Sequence, residues 1–182
     1  MTFATTSILV HCTAQCRIAS PLGTMLLART ETGLAGAWFE KQKHHPDVID
    51  APERGDDPLL VATAQQLRAY FEGEIDAFDV PLDLQGTAFQ RDVWQALLRI
   101  DAGATRSYGD IARELGLPSA SRAVGSAVGR NPVSIIVPCH RVVGSSGALT
   151  GYAGGLDRKT SLLRIEAERA RSRRGARQLE LH

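Results

Sequence analysis

The run Ile135-Ile136-Val137-Pro138-Cys139-His140-Arg141-Val142-Val143 sets a thiol, an imidazole and a guanidinium side by side behind an apolar stretch. Pro138 cannot donate a backbone hydrogen bond, so it ends or kinks the strand that Ile135 begins, and Cys139 falls at a bend where its side chain can face a cleft. A free thiol titrates near pH ~8.5, reacts as its thiolate, and is made more acidic by neighbouring cations. A cysteine with a base is the smallest activated nucleophile. Upstream, Pro132 biases Asn131 away from helical geometry, and an asparagine there organises a turn through its side chain. Downstream, Ser145 to Gly155 is glycine-rich and fits neither helix nor strand. Such a loop brings backbone amides and carbonyls close to a planar ligand.

Other segments must position these groups. Thr24 to Thr30 and Leu34 to Phe39 flank Glu31-Thr32-Gly33, a pattern that predicts a β-hairpin. Residues 41–57 are polar and form the expected long loop. Pro58 opens a helix whose apolar face is Leu60, Ala64, Leu67 and Phe71. Phe78, Val80, Leu82 and Leu84 alternate with Asp79, Pro81 and Asp83, which predicts an extended edge segment that tolerates proline. Gln85-Gly86 is the expected boundary between domains.

The second half reads as mostly helical. Thr87 to Gln90 has capping-box spacing, with Phe89, Val93, Trp94, Leu97 and Leu98 on one face. Ser107 to Asp110 repeats that spacing, and Ile111, Ala112 and Leu115 continue the helix until Gly116 stops it. Pro118-Ser119 starts the next, from Ala120 to about Gly129, which gives a helix-turn-helix. Ala120, Ser121, Ala123, Gly125, Ser126 and Ala127 on it are all small. They would allow close helix packing, or let the helix backbone approach a duplex groove with Arg122 projecting. A last helix runs from Leu156 to about Arg169. The expected fold class is α+β: a small N-terminal α/β domain (residues 1–86), a mainly helical C-terminal domain with the helix-turn-helix (87–170), and a flexible tail (171–182).

Composition narrows the function classes. With 43 % hydrophobic and 23 % charged residues among 182, the chain is ordinary for a soluble globular protein. No apolar run approaches the ~18 residues of a membrane span, and Met1 to Gln15 carries no cationic leader. We expect a cytoplasmic protein with no membrane association. Residues 1–86 carry six Lys+Arg against twelve Asp+Glu, and residues 87–182 fifteen against eight, so a net charge of −6 adjoins one of +7. A basic half beside an acidic one fits a polyanion-binding domain joined to one that leaves the polyanion alone. Three cysteines are too few for a disulfide framework. Cys12 and Cys16, with His11, His44 and His45 as conceivable further ligands, lack the clear second pair that a structural zinc site wants; we expect no metal.

The same residues resemble the active-site signature of the O6-alkylguanine-DNA alkyltransferases, the methylated-DNA–protein-cysteine methyltransferases. The resemblance rests on Asn131-Pro132, Pro138-Cys139-His140-Arg141-Val142, Ser107-Tyr108, Ser121-Arg122-Ala123-Val124-Gly125, Ser145-Ser146-Gly147, Tyr152-Ala153-Gly154-Gly155 and Leu162-Leu163-Arg164-Ile165-Glu166. It covers Thr87 to Glu166 strongly and the first 86 residues only in layout. It implies direct, irreversible transfer of the alkyl group from O6-alkylguanine, with O4-alkylthymine left open, in double-stranded DNA to Cys139, once per molecule and with no cofactor. The implied catalytic set is Cys139, His140, Glu166 and Asn131: Glu166 orients and charges His140, which acts on the thiol through a water, while Asn131 fixes the turn. Tyr108 would press the target phosphate during base flipping and bond to the base. Tyr152 and the amide of Ala153, where many members have serine, would bind the guanine oxygen, and the carbonyls of Cys139 and Val142 its amino group. On the recognition helix, Ala120, Ser121 and Ala123 would meet the minor groove, Arg122 would fill the gap left by the extruded nucleotide, and Arg130 would contact phosphate.

We expect a monomer on DNA, with cooperativity left open. Three rivals are weaker. Lesion sensors on the same scaffold lack the cysteine. Regulator relatives carry additional modules for which this chain has no room. A cysteine hydrolase needs an oxyanion site and a water able to resolve an acyl intermediate, and the adjacency of Cys139 and His140 supplies neither.

Overall fold

The hairpin forms where the two runs around Glu31-Thr32-Gly33 place it, within a sheet that gains one more strand. In the computed structural model, which describes residues 11–179, β1 (Ala14–Ile18), β2 (Met25–Arg29) and β3 (Leu34–Phe39) pair antiparallel in that order. β1 was not anticipated, although Ala14-Gln15-Cys16-Arg17-Ile18 alternates small or apolar residues with polar ones in a five-residue strand. The reading of the first residues as lacking a leader falls largely, and that of the last three as tail wholly, outside the described residues.

The outer edge of β3 is covered at both ends, which removes an open row of backbone donors and acceptors. At one end Leu34 N donates to Pro81 O (2.8 Å) and Asp83 N to Leu34 O (2.9 Å), so the expected edge segment lies beside the strand. At the other end Ala37 N donates to Pro132 O (2.9 Å) and Ser134 N to Ala37 O (2.8 Å). The turn that precedes Cys139 is thereby zipped to the N-terminal sheet.

Helix α1 (Pro58–Glu72) starts at Asp57, whose carboxylate accepts from Leu59 N (3.0 Å) and Leu60 N (3.1 Å). It stops at Gly73, whose φ of +84° is the left-handed cap that glycine adopts without strain. Its buried face is Leu60, Thr63, Leu67 and Tyr70, with Ala64 and Phe71 on the shoulder. The face is thus rotated by one residue from the apolar pattern, and it brings Tyr70 inward.

Both capping boxes form: Thr87 with Gln90 at α2 (Ala88–Leu97), and Ser107 with Asp110 at α3 (Tyr108–Glu114). α4 (Ser121–Gly129) has no side-chain cap and completes the helix-turn-helix with α3. Trp94 of α2 donates its indole N–H to Ala127 O at 2.9 Å, which ties α4 down. Two short parallel strands, β4 (Arg106–Ser107) and β5 (Val142–Val143), join the entry of α3 to the exit of the Cys139 turn. The last helix, α5 (Leu156–Leu179), passes Arg169 and continues through most of the expected tail. Its middle is held from the N-terminal half: Arg169 donates to Phe71 O (3.1 Å), and both Arg169 and Arg173 pair with Asp76.

One apolar cluster runs through both halves. It joins Leu27, Leu34 and Phe39 of the sheet and Leu60 and Leu67 of α1 to Val93, Trp94 and Leu97 of α2, to Ile135, Ile136 and Val137, and to Leu162 of α5. A smaller cluster of Cys12, Leu26, Ala28, Ala35, Trp38 and Ile49 packs elsewhere against the sheet. Among the described residues, no helix is long and apolar enough to cross a membrane.

A shared core should melt as one body. Scanning calorimetry is expected to show a single transition, and Phe39→Ala should lower its midpoint as a whole, by about 3–5 kcal/mol of stability. Two resolved transitions, with only the first displaced, would contradict the continuity of the core.

Candidate active site

Cys139 opens a single 3-10 turn, Cys139–Arg141, and is buried, with 4 % of its surface exposed. What holds it is the turn from Asn131 onward. Asn131 is itself buried: its Nδ2 donates to Val137 O (2.8 Å) and to Cys139 Sγ (3.0 Å), and its Oδ1 accepts from Val133 N (2.9 Å). One amide side chain therefore closes the turn and touches the sulfur. Inside the turn Ile135 has φ +72°, a left-handed conformation that a β-branched residue reaches only when its surroundings impose it. The pairing of Ala37 with Pro132 and Ser134 and the full burial of the Ile135 side chain are those surroundings.

His140 is fully buried and donates from Nε2 to Glu166 Oε1 at 2.8 Å. That bond fixes the tautomer, leaving Nδ1 as the lone-pair nitrogen. Nδ1 is buried and has no partner among the described residues. Glu166 accepts from four residues: Tyr70 OH on Oε1 (2.7 Å), His140, the Arg141 guanidinium on both oxygens (2.9 Å to Oε1, 3.0 Å to Oε2), and Gly103 N on Oε2 (3.1 Å). Gly103 has φ +81° and lies so near α5 that an added Cβ would come 3.1 Å from that of Ala170, so glycine is required there.

The electrostatics follow from burial and these bonds. Burial alone would raise the Glu166 carboxyl, but the donors from His140 and Arg141 overcome it and hold the group well below its ordinary range. For His140 burial prevails over the pull of Glu166, helped by Arg141 and Lys159, and pushes the imidazole below its ordinary value. Burial likewise pushes the Cys139 thiol up, against the Asn131 bond and the Lys159 charge. Both shifts favour a neutral thiol and a neutral imidazole at rest, with Nδ1 able to accept a proton, whereas the resemblance implies a His140 charged by Glu166.

Two groups that the sequence pattern did not single out belong to this site. Tyr70 comes from the N-terminal half. Lys159, fully buried, donates from Nζ to Val142 O (2.5 Å), Thr150 O (2.9 Å) and Gly151 O (3.4 Å) and places a cation near the thiol. Its signal was present: Lys159, Leu162 and Glu166 share the inward face of α5. Arg141 pairs with Glu166 itself.

The remaining candidates surround this centre. Tyr108, at the start of α3, donates its hydroxyl to Thr150 O (3.1 Å) and so touches the glycine-rich loop. Tyr152 has its hydroxyl buried without a partner among the described residues. Ala153 O accepts from Lys43 N (2.8 Å), which anchors the loop to the N-terminal half. Val142 is buried, its carbonyl on Lys159, and its N–H donates to Cys139 O; each of these carbonyls has a second lone pair. Ser121, Arg122 and Ala123 in the first turn of α4 and Arg130 at its C-cap are exposed, and Ala120 at its N-cap is half-exposed. Neither Arg122 nor Arg130 forms an ion pair among the described residues. Cys12 and Cys16 pack in separate apolar clusters, and no group of three or more metal-binding side chains converges among the described residues.

Comparisons with known proteins identify the family. Residues 88–168 match the profile of the 6-O-methylguanine DNA methyltransferase, DNA binding domain, and residues 16–84 that of the 6-O-methylguanine DNA methyltransferase, ribonuclease-like domain. A methylated-DNA–protein-cysteine methyltransferase of Mycobacterium tuberculosis is 50 % identical over 154 residues, covering 84 % of this chain and 92 % of the relative. One from Methanosarcina acetivorans is 52 % identical over 147 residues, 81 % of this chain and 94 % of the relative. The structure of M. tuberculosis OGT in complex with DNA superposes with a TM-score of 0.80 at 49 % identity, covering 86 % of this chain and 94 % of that one.

The buried pair sets the acid response. A group whose folded value is depressed contributes stability above its unfolded value that is lost as pH falls. For His140 the loss begins below its ordinary 6.5, and for Glu166 below 4.5. Urea unfolding is expected to show stability declining from about pH 6.5 downward and steepening below about pH 4.5. In His140→Gln the first decline should flatten while the second remains; an unchanged first decline would mean that His140 is not held neutral.

Proposed function

The chain belongs to the O6-methylguanine DNA methyltransferases, the methylated-DNA–protein-cysteine methyltransferases, and on that premise we propose how its own residues perform the reaction. It is a DNA-binding repair protein that moves the methyl group of O6-methylguanine to one of its own cysteines. The acceptor is Cys139. The observation that carries this assignment is a buried thiol held by Asn131, followed in the chain by a buried histidine whose Nε2 is engaged by Glu166 and whose Nδ1 has no partner among the described residues.

In the proposed step the thiol proton passes, through a bridging water, to His140 Nδ1, and Glu166 stabilises the imidazolium that forms. The sulfur forms a bond to the alkyl carbon in line with the C–O6 bond, which breaks and leaves its electron pair on guanine. Guanine gains a proton from Tyr108, which exchanges its bond to Thr150 O for one to the base and is then reprotonated. The proton lost by Cys139 and the one gained by guanine balance, and the step needs no metal or organic cofactor. The thioether is stable, and no residue at the site could hydrolyse it, so each molecule reacts once.

The substrate enters extruded, because the reacting atom is out of reach inside the stack. The glycine-rich loop receives it through the Ala153 amide and Tyr152, with the Cys139 and Val142 carbonyls on its amino group. The side of α4 bearing Ala120, Ser121 and Ala123 meets the minor groove of the duplex, Arg122 occupies the vacated position, and Arg130 contacts phosphate. Residues 87–170 carry these functions, while residues 1–86 support them through the sheet, Lys43 and Tyr70. We read the protein as a cytoplasmic monomer; its three free cysteines are at home in a reducing compartment.

Intact-mass measurement after incubation with a duplex bearing one O6-methylguanine is expected to find a single added methyl group on Cys139, absent in Cys139→Ser. Binding without an adduct, or repair of a large excess by a trace of protein, would overturn the proposal. Arg122→Ala should slow reaction with duplex about tenfold, since extrusion costs a few kcal/mol, and leave reaction with the free O6-methylguanine base unchanged. Equal losses on both would remove Arg122 from the extrusion step. Asn131→Ala should slow both by about a hundredfold, because a misplacement of about 1 Å at the reacting atoms costs that much.

A further inference from the structure

We infer that Tyr70, a residue of the N-terminal half, is a positioning residue for the transfer, acting through the Glu166 oxygen that also holds His140. The inference rests on the assignment of Cys139 as acceptor. Tyr70 is fully buried, and its hydroxyl donates to Glu166 Oε1 at 2.7 Å, the atom on which His140 Nε2 sits at 2.8 Å. It is itself fixed from α5. The Arg169 guanidinium lies 5.0 Å from the centre of its ring, donates to the carbonyls of Tyr70 and Phe71, and pairs with Asp76. A chain of contacts therefore leads from Asp76 through Arg169, Tyr70, Glu166 and His140 toward Cys139, and its first three members lie away from the reacting atoms.

The charged and titratable groups facing this network are Arg141 from the turn, Lys159 and Arg169 from α5, and the protonated Cys139 thiol; the Gly103 amide adds a neutral donor. Within that set, Tyr70 OH and Arg141 compete with His140 for the negative charge on Oε1. Removing the hydroxyl leaves more of that charge on the His140 Nε2–H. The imidazolium is then better stabilised, and neutral His140, the form able to take the thiol proton, persists only at higher pH. The missing bond also leaves Glu166, and with it the imidazole ring, less firmly placed.

The test is single-turnover transfer measured against pH, on duplex and on the free O6-methylguanine base, for wild type and Tyr70→Phe. The variant is expected to react about tenfold more slowly on both substrates, the size of a modest positioning loss, with unchanged DNA affinity. The rising limb of its profile should move to higher pH by about half a unit. A purely structural role would lower the melting temperature and leave that limb in place, and an unmoved limb overturns the inference. If Tyr70→Phe melts below the assay temperature, 3-fluorotyrosine placed at position 70 keeps the hydroxyl and makes it a stronger donor. The limb should then move to lower pH, and no movement is again the refuting result. Failure of wild type to accept any alkyl group would instead strike the assignment of Cys139.

Discussion

A carboxylate with 1 % of its surface exposed stands at the centre of this protein, and the rest of the structure has to satisfy it. An isolated charge in the interior costs several kcal/mol, and the cost is met only when donors occupy its oxygens. For Glu166 those donors come from α1 (Tyr70), from the loop before β4 (Gly103) and from the turn that carries the thiol (His140 and Arg141). Three segments far apart in sequence are thereby fixed to α5. Removing one donor from such a group leaves charge uncompensated, so the network ties the N-terminal half to the catalytic half alongside the apolar core.

The chemical character of the site follows from this satisfaction. Because Glu166 is held ionised by several donors, its pull on His140 is divided, and burial keeps the imidazole neutral. Because His140 gives its one proton to Glu166, Nδ1 is the basic nitrogen. Because Cys139 is buried, its thiol keeps its proton until a base takes it, with Asn131 and Lys159 favouring the thiolate that results. In the proposed reaction, where each molecule reacts once, this arrangement is an advantage: a buried protonated thiol resists adventitious electrophiles, and His140 would be in place as base when substrate enters.

Much of this was legible in sequence wherever the signal is local. The capping boxes at Thr87 and Ser107, the hairpin around Gly33, the helix opened by Pro58 and the bend at Pro138-Cys139 all depend on residues within a few positions of one another. What escaped was set by distant partners. Tyr70 sits one position away from the apolar stripe of α1, and only its contact with a residue on α5 gives it a role. Arg141 could pair with any of many carboxylates until the turn aims it at Glu166. Lys159 shares an inward face of the last helix with Leu162 and Glu166, but only its contacts with the glycine-rich loop give it a place at the site. The pairing of β3 with Pro132 and Ser134, which sustains the left-handed Ile135, joins segments that no local pattern connects. The pairing of Arg169 and Arg173 on α5 with Asp76 likewise joins distant segments.

The chemistry of the site turns on the protonation of one ring at rest. Long-range nitrogen–proton spectra of the histidine side chains at neutral pH, with His140 assigned by substitution, report it directly. The expected result is a neutral imidazole carrying its proton on Nε2, with Nδ1 showing the shift of an unprotonated ring nitrogen. A resonance pair with both nitrogens protonated would mean that the resting site is already a thiolate–imidazolium pair, and that burial does not set the state of the ring.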